Sequence, residues 1–182
     1  MADIAIERAD ALKPADLHDL CDAANEAIKV GGGFGWVDPP PRDVMERYWK
    51  GVVMIPERVL FVARLDGVIA GSAQLVRPPR NNEAQAHAAS LTTAFVAPWA
   101  RSHGLARRLT QAVEEEARAL GFRVLNLDVR ETQTAAITLY ETLGFKRWGT
   151  HPFYALVRGT PIAGHFYSKD LGPNTPQDGT PP

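Results

Sequence analysis

Asp66-Gly67 is the dipeptide that most narrows what this chain can fold into. It stands between two β-rich runs, Val59-Leu60-Phe61-Val62-Ala63 and Val68 through Val76. An Asp-Gly pair in that setting predicts a tight hairpin. A hairpin demands antiparallel neighbours, so the middle of the chain is not a regular alternation of parallel strands and helices. Upstream, Ile4 and Ile6 alternate with polar residues and predict a short first strand. Pro14 then opens a run in which Leu17, Leu20, Cys21, Ala24 and Ile28 recur at helical spacing. Gly31-Gly32-Gly33 ends it as a helix stop and flexible loop rather than a phosphate loop, since no Gly-Lys-Ser/Thr follows. Pro41 suits the first turn of a second helix with Val44, Tyr48, Trp49 and Val52 on one side.

Downstream of the hairpin, Pro78-Pro79-Arg80-Asn81-Asn82 breaks the pattern, and a strand from Ala88 to Val96 stops at Pro98. Helical spacing returns at Leu105, Leu109, Ala112, Val113 and Leu120, with Gly121 as C-terminal cap. Val124 to Val129 predicts a strand and Ala135 to Leu143 a helix closed by Gly144. Phe145–Trp148, Phe153–Val157 and His165–Lys169 read as closing strands. The order is mixed α/β.

A chain of 182 residues suits one domain, placed at residues 1–171. The last eleven residues, 172–182, carry four of the fourteen prolines and little that can pack, and read as a disordered tail. Twenty Lys and Arg against 21 Asp and Glu leave a net charge of -1. That balance argues against a dedicated nucleic-acid binder or a polybasic membrane-surface protein. Cys21 is the only cysteine, which removes an internal disulfide and any Cys-rich zinc site. His18, His103 and His151 are scattered without metal spacing, so no metal is expected. The first residues lack a signal-peptide plan, and no apolar run approaches the roughly 18 residues of a membrane span. A cytoplasmic protein, monomeric or homodimeric, is the expectation.

Two stretches carry chemistry. The first is Phe95-Val96-Ala97-Pro98-Trp99-Ala100-Arg101-Ser102-His103-Gly104-Leu105-Ala106-Arg107-Arg108-Leu109, a strand end, a turn and the start of an amphipathic helix. The first turn of a helix has unpaired N–H groups and the positive end of its dipole, so an anion such as diphosphate sits there favourably. Gly104 and Ala106 keep side chains from blocking the approach, while Arg101 and Arg107 add charge. The pattern Arg/Gln-x-x-Gly-x-Gly/Ala arises by accident about once in 1,000 positions, so its placement between strand and helix is what carries it. The second stretch runs from Asp128 to Phe145. There Gln133, Ala136 and Tyr140 share one helix face, and Ala136 keeps that face thin enough for a ligand to lie along it.

These two stretches together resemble the GNAT superfamily of acyl-CoA-dependent N-acyltransferases. The first matches that family's pyrophosphate loop, and the second its Asn-x-x-Ala-x-x-x-Tyr-x-x-x-Gly-Phe segment. Leu125-x-Leu127-Asp128 and Tyr167-x-Lys169-x-Leu171 are similar to tabtoxin-resistance-type acetyltransferases. The resemblance implies a central, mostly antiparallel sheet of six to seven strands, flanked by helices and splayed between its fourth and fifth strands. Acetyl-CoA would be the co-substrate. Its pantetheine would lie in the gap, bonded to the backbone of Phe95 and Val96, with the diphosphate on Arg101, Ser102, His103, Gly104, Leu105, Ala106 and Arg107. Gln133, Ala136 and Tyr140 would complete that site. Ser102 stands where Gly is commonest and Gln133 where Asn is usual; Gln keeps both amide functions on a longer stem.

Transfer of an acetyl group needs a neutral amine, a donor for the developing oxyanion and a hydrogen bond for the leaving thiolate. The resemblance gives these roles to the Val96 N–H and the Tyr140 phenol. Many relatives carry a Glu base on the fourth strand, but Ser90, Thr92 and Thr93 occupy that region here. Asp128 and Glu131 are the candidate bases, with His87 and His165 as further options. Phe34, Trp36, Asp128 and Tyr154 are the candidate residues for a cationic amine. Glu114-Glu115-Glu116 reads as a solvated helix face. The expected activity is acetylation of a small-molecule primary amine in a ternary complex. Acetylation of a peptide amine, or a silent acyl-CoA sensor, are the alternatives.

Overall fold

A computed structural model describes residues 2–32 and 34–172. The tail read at 172–182 lies outside the described residues beyond Gly172. The elements in chain order are β1 (Ile4–Arg8), α1 (Pro14–Lys29), α2 (Arg42–Met54), β2 (Arg58–Leu65), β3 (Val68–Val76), β4 (Ala88–Val96), α3 (Leu105–Ala119), β5 (Val124–Arg130), α4 (Thr134–Thr142), β6 (Lys146–Val157) and β7 (Thr160–Asp170). All seven strands form one sheet in the order β1-β2-β3-β4-β5-β7-β6. Every neighbouring pair is antiparallel except β4 and β5.

Local chemistry explains the punctuation. Asp66 and Gly67 both have positive φ (51° and 84°), the signature of the type I′ hairpin that Asp-Gly favours. Gly31 has φ 80°, and its N–H and that of Gly32 donate to the carbonyls of Ile28 and Ala27 at 2.9 and 2.8 Å. That pairing is a Schellman cap, which stops α1. Leu105, Leu109, Val113 and Ala117 repeat every four residues and form the buried stripe of α3. With β2, β3 and β5 they make the core on one face of the sheet. On the other face, Leu20, Ala24 and Ile28 of α1 and Met45, Trp49 and Val52 of α2 make a second core.

Three readings need correction. The second helix turns Met45 inward rather than Val44, and Pro41 sits just before it as the capping residue. The stretches Phe145–Trp148 and Phe153–Val157 are one strand, β6, with register shifts between Arg147 and Gly149 and between His151 and Ala155. Pro152 lies between them, but β6 is an edge strand, where a missing N–H costs no ladder bond. Glu114 is only 6% exposed, not solvated. Its carboxylate accepts from Lys169 Nζ and pairs with Arg118, both at 2.6 Å.

The site is set by β4 and β5. They pair only through Ala88–Val124, Ala89–Leu125 and Ser90–Asn126. Beyond Ser90, β4 stays with β3 and β5 with β7, and the two strands part. Among the described residues no helix is long and apolar enough to cross a membrane.

Candidate active site

The gap between β4 and β5 opens into two clefts. One, of about 680 Å³, runs from the end of β4 past the turn at residues 101–104 to α4. The other, of about 550 Å³, lies over β5 beneath the loop after α1 and the β6–β7 hairpin. Gly32, Ala94, Gln133, Ala136 and Tyr140 line both, so the clefts meet along the face of α4 that runs from Gln133 to Tyr140.

The first cleft is built for an anion. None of the N–H groups of residues 102–107 has an acceptor among the described residues, and the first bond of α3 runs from Arg108 N–H to the Gly104 carbonyl at 3.1 Å. Ser102 and Gly104 both have positive φ (69° and 76°), which folds these amides into a concave turn. Arg101 is exposed and has no ion pair among the described residues, while Arg107 donates to Thr142 Oγ1 at 2.9 Å. Gln133 Nε2 donates to the Gly31 carbonyl at 2.6 Å, tying α4 to the end of α1. The His103 ring turns away: its Nδ1 lies 2.9 Å from the Arg101 carbonyl, and the residue does not line the cleft.

Strand β4 brings a peptide group to the same place. The Ala97 N–H donates to the Ala70 carbonyl at 2.7 Å. Because N–H direction alternates along a strand, the Val96 N–H points away from β3, into the gap. Phe95 is placed differently from the expectation for it. A Cβ on Gly71 would come within 2.5 Å of the Phe95 carbonyl oxygen, so that carbonyl belongs to the β3 side, while the ring packs in the core with Phe34 and Trp49. Thr93 has φ 54° at a register shift between β3 and β4. A β-branched residue there is a strained bulge facing the second cleft.

Tyr140 is 6% exposed, and its phenol has no hydrogen-bond partner among the described residues. Burial, and secondarily the negative charge of Asp128, push it up to about 12. In the second cleft, Asp128 accepts a hydrogen bond from the Tyr154 hydroxyl. Tyr154 is raised too, by burial first and then by that bond. Phe34 lines the same cleft and stacks on Phe95 at 5.2 Å between ring centres. Among the described residues no cluster of His, Cys, Asp or Glu could hold a metal ion.

Residues 18–145 match the family model described as the acetyltransferase (GNAT) family. The chain belongs to the GNAT acetyltransferases. An uncharacterized N-acetyltransferase from the hisH-hisA intergenic region of Azospirillum brasilense is 79% identical over 133 residues, 73% of this chain and 79% of that one. An N-acetyltransferase from Staphylococcus aureus Mu50 superposes with a TM-score of 0.80 at 24% identity, covering 93% of this chain and 99% of that one. A candidate acetyltransferase from Salmonella typhimurium, solved with its cofactor acetyl-CoA, gives 0.74 at 19% identity over 93% and 94% of the two chains.

Not every residue singled out from the sequence of this GNAT acetyltransferase reaches the clefts. Glu131 lines neither: its Oε1 accepts from the Ala163 N–H at 3.3 Å, and its carboxylate is spent holding β7. Trp36 backs Phe34 from behind, ring centres 5.5 Å apart. His165 bonds Thr150 Oγ1 at 2.9 Å and, like His87, lines neither cleft. Three residues near the site escaped the sequence. Thr93 stood out only as a replacement for the fourth-strand base, and its bulge gave no signal because a bulge depends on the partner strand. Gly164 lies beneath the Tyr154 ring, where a Cβ would fall 2.1 Å from a ring carbon. Arg130 was detectable, since it follows Asp128 at a two-residue interval and therefore shares its face of β5.

Proposed function

We propose that this protein moves an acetyl group from acetyl-CoA to the primary amine of a small molecule, by direct attack with both substrates bound. The observation that carries this reading is the unpartnered Tyr140 phenol where two clefts meet, one lined by free amides and the other by a carboxylate. The free N–H groups of residues 102–107, with Arg101 and Arg107, fit a diphosphate. When bound, acetyl-CoA supplies an activated thioester carbonyl. The Val96 N–H stabilises the negative charge that builds on its oxygen, in place before reaction begins. Asp128 attracts the cationic amine and takes its first proton, directly or through a water; the neutral nitrogen attacks the carbonyl, and the adduct loses its second proton to solvent as the C–S bond breaks and the thiolate leaves. Holding the two partners together supplies much of the rate.

Tyr140 meets the departing sulfur. Moving a proton fully from a phenol at about 12 to a thiolate near 8.5 costs about 5 kcal/mol, so its task is to donate a strong hydrogen bond rather than to ionise. The test is thiol release measured over a panel of primary amines, with calorimetry of acetyl-CoA binding alongside. Binding with micromolar affinity and turnover of at least one small amine are expected. Binding without turnover of any amine sinks the proposal and leaves a peptide acceptor or a silent sensor.

A further inference from the structure

We infer that the acceptor carries an acidic group beside its amine, and that Arg130 binds that group. The inference rests on the reading of the second cleft as the acceptor site and narrows it. Among the described residues, that cleft is lined by two charged side chains, Asp128 and Arg130. They are of opposite sign and two positions apart on β5, which puts them on one face about 6.6 Å apart at Cα. Asp128 has Tyr154 as its partner. Arg130 is half-buried and has no carboxylate within ion-pair distance among the described residues.

The other half-buried guanidiniums all find partners among the described residues, and Arg130 does not: Arg64 pairs with Glu7 and Asp16, Arg42 with Asp22 and Glu46, Arg58 donates to Gln74 Oε1 at 2.6 Å and Arg77 to the Pro56 carbonyl. A desolvated cation without an anion is costly, and its side chain presents a planar fork that fits a carboxylate. An ammonium held at Asp128 and a carboxylate held at Arg130 are the two charges of an α-amino acid. The rest of the wall, Phe34, Leu156, Thr92 and Thr93, carries no charge and suits an uncharged side chain. A peptide N-terminus has an amide where Arg130 requires an anion, so the same geometry disfavours it.

The experiment compares kcat/KM for L-amino acids with uncharged side chains against their primary amides and the matching decarboxylated amines. It uses the wild type, Arg130→Gln and Arg130→Lys. In the wild type the free amino acid should lead its decarboxylated amine by about 10- to 100-fold, mostly through KM, the range for a charge-assisted pair. Arg130→Gln should collapse that ratio, and Arg130→Lys should restore part of it. Because each ratio is read on one protein sample, a partly unfolded variant does not distort it. Equal turnover of amino acid and decarboxylated amine, or a ratio unmoved in Arg130→Gln, overturns the inference while the acetyltransfer reading stands. No turnover of any amine overturns both.

Discussion

Tyr140 shows how one side chain serves fold and chemistry at the same time. Its ring packs against Phe145 at 5.8 Å, in the core shared with α3, while its hydroxyl reaches the junction of the clefts. Removing only that hydroxyl tests the chemical half. Tyr140→Phe should lower kcat for thiol release by about 100-fold, a usual value for losing one hydrogen-bond donor to charge that develops in the reaction, with acetyl-CoA affinity kept. Unchanged turnover would remove Tyr140 from the reaction. The same burial makes stability depend on pH. The folded-state phenol titrates at about 12 against the usual 10, so the unfolded chain loses its proton first. The contribution is complete below pH 10 and drains away as pH climbs towards 12. At pH 11 the wild type should have lost about 1.4 kcal/mol that Tyr140→Phe never had, read as the change in their stability difference between pH 8 and 11 in urea titrations. Gly164 offers a second test at this scale. A methyl there must displace the Tyr154 ring and with it the hydrogen bond to Asp128. Gly164→Ala should therefore raise KM for the amine about tenfold while leaving the KM for acetyl-CoA in place. Asp128 was visible in the sequence because strand alternation exposes it. The need for Gly164 was not, since it comes from a ring on a different strand.

At the scale of elements, α3 is held to β7 through Glu114. Its carboxylate is buried between Lys169 and Arg118, both at 2.6 Å, and Lys169 also lies 5.7 Å from the centre of the Phe145 ring. Breaking such a pair from one side is expensive, because the remaining charge stays desolvated. Lys169→Met should cost about 3 kcal/mol in chemical denaturation, and adding Glu114→Gln should recover most of it. An equal loss in both single variants that simply adds in the double would show that the pair is not coupled. Three consecutive glutamates read as a wet helix face because helical spacing is the only information they carry. Glu114 lies next to the buried Val113 and one turn before Ala117, and a lysine brought by β7 made its burial affordable. The closing strands have a related history. β6 and β7 are joined by Arg158-Gly159, both with positive φ, so either could have docked on β5. β7 takes that place because Tyr167 and Leu171 need burial, while β6 tolerates Pro152 and leaves Trp148 and Phe153 exposed. The bulge at Thr93 was equally hidden, because register belongs to a pair of strands and not to one.

The whole molecule is a sheet that nearly divides. Strands β1 to β4 with α1 and α2 lie on one side of the gap, and β5 to β7 with α4 on the other. Three residue pairs of parallel ladder and the α3 core join them directly. That division was legible in outline, since the change from hairpin spacing to helix-strand-helix falls at the same point in the chain. Its consequence is a cleft whose walls belong to different halves: residues 95–107 on one and Gln133 to Tyr140 on the other. A ligand spanning it should therefore stabilise the protein as a whole. Acetyl-CoA at 100 times its Kd should add about 2.7 kcal/mol, or about 5–10 °C in Tm for a chain of this length. The gain should shrink with salt, because Arg101, Arg107 and the free amides of residues 102–107 meet an anion. Hydrogen exchange locates the effect. The N–H groups of residues 102–107 lack acceptors among the described residues, and strand alternation turns that of Val96 away from β3, so they should exchange readily in the free form and slow when acetyl-CoA is added. If Tm rises while those amides keep their exchange rates, the ligand binds elsewhere and the two walls do not form its site.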